Sequence, residues 1–233
     1  MGSLPKSLSF PRVKSNAVAS VSSSYTCTPI NSAQLYQPGQ IISFDIPCGI
    51  RSQWLDPSQT YLQFTVAATL AGGTSPTWTA LPHFFIQSAA LYSSAGSKSI
   101  EALDQYSNAH TVMRDIWAET PSVRTSDTIT MNADPTKLRV ATVAAATDSV
   151  TYALPLVSLV GLISAADVMI PTFALGSPLR LDLVLSSAAQ ALTVTGGPTT
   201  VSYSITAPKH CYVTDQLDDR WCVQLEFSRL SQL

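Results

Sequence analysis

Apolar and polar residues alternate along much of this chain. From Gln40 to Pro47 (QIISFDIP), Ile42, Phe44 and Ile46 fall on one face of an extended backbone. From Thr60 to Leu70 (TYLQFTVAATL), Leu62, Phe64, Val66 and Ala68 alternate with Gln63, Thr65 and Ala67. A period of two predicts strands with one buried face. His83–Tyr92 is a more continuous apolar run and reads as a strand covered on both faces. Thr128–Asn132, Val150–Leu154, Leu179–Leu185, Thr199–Ile205 and Trp221–Phe227 bring the set to about eight strands. Turn-rich stretches such as AGGTSP, NADP and TGGP separate them. Gly72-Gly73 and Gly196-Gly197 read as hairpin glycines.

One stretch departs from this pattern. Between Ser99 and Trp117 apolar residues recur at Ile100, Leu103, Tyr106, Ala109 or His110, Met113 and Ile116. That three-to-four spacing predicts one inserted amphipathic helix over about residues 99–117. Glu101 and Asp104 sit near its expected start, where the helix dipole favours acids, and Pro121 ends it. Residues 120–151 are polar and alanine-rich and predict a long surface excursion. The Ser-rich start predicts an extended or mobile N-terminal arm over residues 1–35, followed by a single domain over 36–233.

Antiparallel strands with one helix predict an all-β sandwich. An eight-stranded jelly roll, an immunoglobulin-like sandwich and a closed barrel all fit the strand count. The immunoglobulin option lacks its Cys…Trp…Cys spacing. A lipocalin-type barrel wants shorter, more even turns than residues 120–150 allow.

Charge sharpens the picture. Only 12% of the 233 residues are charged, 13 Lys+Arg against 15 Asp+Glu, while 45% are hydrophobic; an ordinary soluble domain carries about 25% charge. A surface so poor in ions keeps a lone monomer in solution with difficulty. Its simplest implication is that other copies or partners cover much of the surface. Net charge is −2 and the pI is near 5.8, so the chain as a whole is no nucleic-acid binder by charge. Residues 1–44 hold Lys6, Arg12 and Lys14 and no acid. Two readings of that arm stand, a plain disordered tail or a weak contact with nucleic acid; three cations release few counterions, which favours the plain tail.

MGSLPKSLSFPRVK has no apolar core, so no secretory signal is expected. The longest apolar stretch, Ala153–Ile163, is about half the length of a membrane span and contains Pro155. Cys27, Cys48, Cys211 and Cys222 show no CxxC spacing, which argues against a zinc ribbon or a redox motif. In a reducing compartment they are buried free thiols, and pairing between the two ends of the chain requires those ends to be adjacent.

Candidate chemistry is sparse. His83, His110 and His210 are not spaced as metal ligands on one element. Asp218-Asp219 read as acids facing water rather than a calcium site, and Asp56-Pro57 as a turn before a strand. There is no GxSxG, HExxH or phosphate-cradling glycine loop. No catalytic, metal or cofactor-binding residue is expected, and the chain is not expected to be an enzyme. Trp54, Trp78, Trp117 and Trp221 read as core or interface residues, the alternative being a carbohydrate platform.

Three segments taken in order carry a resemblance: PGQIISFDIP…WLDPSQTYLQFTV (Pro38–Val66), FFIQSAALYSSAGSKSIEALDQYSNAHTVMRDI (Phe84–Ile116) and YALPLVSLVGLISAADVMIPTFALGSPLRLDLVL (Tyr152–Leu185). Together they resemble jelly-roll capsid proteins of icosahedral viruses, in particular penton-like and minor or major capsid proteins of adenovirus-like or polinton-like lineages. The resemblance implies a structural capsid subunit of the virion. Such a subunit assembles inside the host cell through lateral contacts with copies of itself and with other capsid proteins, in a ring or capsomer. A β-sandwich module that recognises glycans or a cell-surface receptor is the alternative, expected as a monomer or small oligomer.

Overall fold

A computed structural model describes residues 21–31, 35–50, 53–93, 99–117, 143–145, 149–155 and 169–216. In chain order these hold β1 (Val21–Cys27), β2 (Leu35–Tyr36), β3 (Ile41–Ile46), β4 (Gln53–Ala71), β5 (Thr77–Thr79), β6 (Ile86–Ser93) and β7 (Ser99–Asp104). Helix α1 (Tyr106–Trp117) follows, then β8 (Val143–Ala145), β9 (Ser149–Pro155), β10 (Leu179–Leu185), the single-turn α2 (Ala188–Ala191), β11 (Thr193–Thr195) and β12 (Thr200–Gln216).

Eight of these strands build two sheets, β1-β12-β4-β9 and β3-β10-β6-β7. Every pairing is antiparallel. Counting those eight alone, the first pairs with the last (β1 with β12), the second with the seventh (β3 with β10), the third with the sixth (β4 with β9) and the fourth with the fifth (β6 with β7). This nesting of one long folded hairpin into two sheets is the jelly roll. It decides among the three architectures that strand count allowed. β2 adds to the first sheet beside β12, and β11-β5-β8 form a small separate sheet.

The alternation read from sequence supplies the core. Leu62, Phe64, Val66 and Ala68 of β4 are buried, as are Tyr152 and Leu154 of β9 and Tyr203 and Ile205 of β12. From the second sheet come Ile42, Phe44 and Ile46 of β3, Leu179, Leu181, Leu183 and Leu185 of β10, and Ala89 and Leu91 of β6. All belong to one cluster, and rings interlock across it: Phe44 lies 5.8 Å from His210 and Phe64 lies 6.2 Å from Phe85, centroid to centroid.

The free edge of β3 is closed by the chain leaving β1. Ile30 N–H donates to Ser43 O at 2.8 Å, Asn31 Nδ2 donates to Ile41 O at 2.8 Å, and the Cys27 thiol donates to Asp45 O at 3.2 Å. A covered edge removes a template for unwanted strand pairing. The glycine pairs do hold two tips. Gly73 (φ 77°) and Gly196 (φ 84°) pack backbone on backbone, so a Cβ on Gly73 would lie 2.2 Å from Gly196 O. Thr74 N–H donates to that same carbonyl at 2.9 Å.

Several expectations need correction. The helix does not span 99–117, because Ser99–Asp104 is strand β7, paired with β6, and α1 starts at Tyr106. Ile100 and Leu103, three apart, suit the helical period; in β7 they fall on opposite faces, Leu103 against the core and Ile100 exposed, and six residues are too few for spacing to decide. Hydrogen bonding to β6 decides instead, and Gln105 at φ 53° turns the chain between strand and helix. Glu101 and Asp104 therefore lie in a strand, and the first turn of α1 holds no acid. Asp56-Pro57 is not a turn before a strand but lies inside β4, where the register with β12 is interrupted between Asp56 and Tyr61. β12 runs past the expected Ile205 to Gln216, because a bulge at Ala207 (φ 47°) absorbs the Ala-Pro-Lys step that looks like a turn. From Val21 on, the segment expected as an arm over 1–35 contributes β1 to the first sheet. Residues 83–85 of the expected strand 83–92 form a 3-10 turn, and β6 starts at Ile86. The expected strands 128–132 and 221–227, and most of the excursion 120–151, lie outside the described residues.

Candidate functional site

Ring stacking ties α1 to the turn before β6. His83 is fully buried in the Pro82–Phe85 turn, and its ring stacks on His110 of α1 at 4.5 Å and 20°. Its Nε2 meets Thr111 Oγ1 at 3.1 Å, and Thr111 Oγ1 donates to Ser107 O at 2.8 Å. Tyr106, also fully buried, lies 5.5 Å from His110. Two of the three sequence candidates are thus brought together, as the joint between a helix and a sheet.

The third stands on a strand of the other sheet. His210 of β12 is fully buried between Phe44 and Tyr212, and neither ring nitrogen has a hydrogen-bond partner among the described residues. Burial lowers its pKa to about 4, so it is a neutral ring at physiological pH. Among the described residues no three His, Cys, Asp or Glu side chains converge to hold a metal ion.

Cys27, Cys48 and Cys211 are free thiols; Cys222 lies outside the described residues. β1 and β12 are adjacent, yet Cys27 opposes His210 and Thr26 opposes Cys211, so the two cysteines point to opposite faces of the sheet. Burial raises the Cys27 thiol above its ordinary range, against thiolate chemistry. Trp78 is fully buried in the middle of the small sheet, opposite Val194 and Ala144. Trp54 packs edge-on against Phe173 at 5.4 Å. A Trp buried that deeply is no part of a surface platform. The side chain of Trp117, and Trp221 and Asp218-Asp219 entirely, are outside the described residues, as are Lys6, Arg12 and Lys14.

The space between the sheets is nearly filled. A gap of about 10 Å³ remains, lined by apolar side chains including Ile42, Phe44, Leu62, Phe64 and Leu183. It has room for one water at most and offers it no polar partner. No ligand fits that gap, and the outer surface differs. There a groove of about 350 Å³ opens on the rim where β7 and β10 end and β6 begins, lined by Phe84, Gln87, Gln105, Ser107, Asn108, Ser186 and Gln190. Sequence reasoning missed it, because its residues come from three separate places in the chain.

The other outward feature is a sheet face. On β4, β9 and β12 the positions opposite the buried ones are Gln63, Thr65, Ala67, Thr69 and Ala71, then Ser149, Thr151 and Ala153, then Thr200, Ser202, Ser204, Thr206 and, past the bulge, Lys209, which opposes Gln63. Lys209, at the margin of this stretch, is the one charged side chain among them. Several of the hydroxyls already have partners: Thr65 Oγ1 and Thr151 Oγ1 lie 2.8 Å apart, Ser204 donates to Ala67 O at 3.5 Å and Thr206 to Thr65 O at 3.5 Å. Covering such a face leaves few polar groups stranded, and that stranding is the main cost of burying polar surface. The outer face of the second sheet differs. It carries Asp45, Asp104, Asp182 and Arg180; Arg180 Nε bonds Asp182 Oδ1 at 3.0 Å, and Arg180 Nη2 reaches Ser43 Oγ at 3.3 Å.

No family model matches the chain, and no curated protein matches it in sequence. Among solved structures, a chain in the structure of infectious bursal disease virus, Gx strain, aligns over 87% of this chain at 11% identity, with a TM-score of 0.24. This chain spans 42% of the length of that one. At that score the likeness carries no argument about function. No helix among the described residues is long and apolar enough to cross a membrane.

Proposed function

We propose that the chain is a structural, non-enzymatic capsid subunit of an icosahedral virus that self-associates into a ring or capsomer and resides in the virion. Jelly rolls serve capsids, lectins and cupins alike, so the fold does not choose among them. The observation that carries the reading is the outer face of β4-β9-β12 from Thr65 to Ala71 and its paired residues, small Thr, Ser and Ala side chains with Lys209 charged at the margin, where the hydroxyls of Thr65, Thr151, Ser204 and Thr206 are bonded within the sheet. The sparse charge of the whole chain points the same way. Three strands by seven residues cover roughly 300 Å², well short of the roughly 800 Å² each partner gives to a standard interface. This face is therefore the centre of a contact, and the neighbouring rim completes it. From β1 onward the chain acts as one domain, and the segment before β1 clasps a neighbour or lies inward, with Lys6, Arg12 and Lys14 in weak contact with nucleic acid.

Size-exclusion chromatography with light scattering, joined to negative-stain microscopy, tests the proposal. Rings, capsomers or shells are the expected result; a monodisperse monomer at high concentration overturns it. Removing residues 1–20, which stops short of β1, is expected to impair particle formation while leaving thermal unfolding unchanged.

A further inference from the structure

We propose that the rim groove is a binding site for a neutral saccharide. The groove belongs neither to the self-association face nor to the core, and nothing in the packing of the sandwich calls for it. Its volume of about 350 Å³ lies at the small end of the range for ligand sites and suits a mono- or disaccharide.

The lining selects the chemistry. It offers amides, hydroxyls and one aromatic ring, and no ionisable side chain. A phosphate, carboxylate or ammonium ligand would shed water there without meeting a counter-charge. Amides and hydroxyls each donate and accept, as neighbouring sugar hydroxyls do. The amides are also held in place. Asn108 Nδ2 donates to Gln105 Oε1 at 3.3 Å, and Ser187 Oγ donates to Gln190 Oε1 at 3.1 Å. With the oxygens of Gln105 and Gln190 engaged, their nitrogens remain as donors to a ligand.

The walls are positioned from behind. His83 packs on the Phe84 ring at 4.5 Å, and the carbonyl of Ser107 is fixed by Thr111, which in turn meets His83. An aromatic ring held still in a polar groove gives the C–H face of a pyranose an apolar surface to cover, and a site held by packed neighbours loses less freedom on binding. Gln105 itself stands at φ 53°. Non-glycine residues kept in that region cluster at binding sites.

The test is titration of the full chain, isotope-labelled, with glucose, galactose, mannose, N-acetylglucosamine, N-acetylgalactosamine and lactose, followed by amide and side-chain NMR shifts. At least one is expected to bind saturably with a Kd in the millimolar range or tighter, with shifts confined to the groove. Asn108→Ala with Gln190→Ala should weaken that binding at least tenfold with no change in unfolding temperature. Gln190 is exposed, so Gln190→Glu alone supplies a second variant that keeps the fold and places a charge in the groove; it too should lose binding. Absence of any saturable shift at tens of millimolar overturns the proposal, as does binding that survives both variants, or a groove that takes an acetylated dipeptide or inorganic phosphate instead. Equilibrium dialysis of the radiolabelled sugar against the full chain gives the same binding curve whatever the state of assembly, so failure to bind leaves the capsid reading standing, and the reverse.

Discussion

The two outer faces of the sandwich rest on the same alternation and are put to opposite uses. Behind Leu62, Phe64 and Val66, the first sheet shows the solvent Thr65, Ala67 and Thr151, small side chains whose hydroxyls are bonded within the sheet. Behind Leu181 and Leu183, the second shows Arg180 and Asp182, with Asp45 and Asp104 beside them, three acids to one cation. The scarcity of charge in this chain is therefore not spread evenly. It is greatest over the Thr65–Ala71 stretch of one face, where a partner surface meets a single ion, Lys209, at the margin.

The sharpest way to break this comparison is to put charge on the neutral face. Thr65→Glu with Thr151→Glu is expected to abolish self-association, weakening it more than a hundredfold, because like charges buried unpaired in an interface cost several kcal/mol. Ala90→Glu with Ser88→Glu, on the already charged face, is expected to leave particles intact by light scattering. Equal loss from both pairs would dissolve the distinction between the faces.

Acid separates the two sheets from within. His210 is folded with a pKa near 4 against about 6.5 in an unfolded chain. The folded state thus favours the neutral ring. Its contribution is fully present above pH 6.5 and is lost as pH falls from there toward 4, by about 3 kcal/mol in all. Denaturation between pH 7 and pH 4 is expected to show that loss, with hydrogen exchange rising first in the β1-β12 pair while β10 and β6 stay protected. His210→Leu should remove most of the slope. A slope unchanged in that variant would mean that another group titrates.

The smallest effect belongs to the ion pair on the second face. Arg180 is 46% exposed and Asp182 24%, so Arg180→Leu should cost less than about 1 kcal/mol and the difference should shrink in high salt. A cost of several kcal/mol by urea unfolding would mean that this face is itself held by its charges.

Legibility follows how local each signal is. Leu179–Leu185 was readable to the residue, because four leucines on one face of a seven-residue strand admit no other period. Ser99–Asp104 was not, because Ile100 and Leu103 sit at helical spacing while the segment pairs as an edge strand with β6. β1 (VSSSYTC) was read as arm, since a Ser-rich segment shows no inward face of its own, and its pairing with β12 lies about 185 residues away in sequence (Thr26 to Cys211). Asp56-Pro57 reads as a turn before a strand and is an irregularity inside β4, and β12 runs on through Pro208 past the expected end at Ile205. No candidate site was legible as a place. The groove joins side chains from the turn before β6, the start of α1 and the segment after β10, and composition gave the neutral face a reason without an address.

By itself the sequence determined the all-β class, the inward residues of the central strands and the poverty of charge, since side-chain period and composition are properties of short stretches and of sums. The tertiary structure alone decided that first pairs with last and second with seventh, that the charge-free positions share one face, and that two of the three histidines stack while the third is walled in. Those outcomes depend on which distant backbone supplies each strand's hydrogen bonds, and alternation says which way a residue points without saying what it will meet.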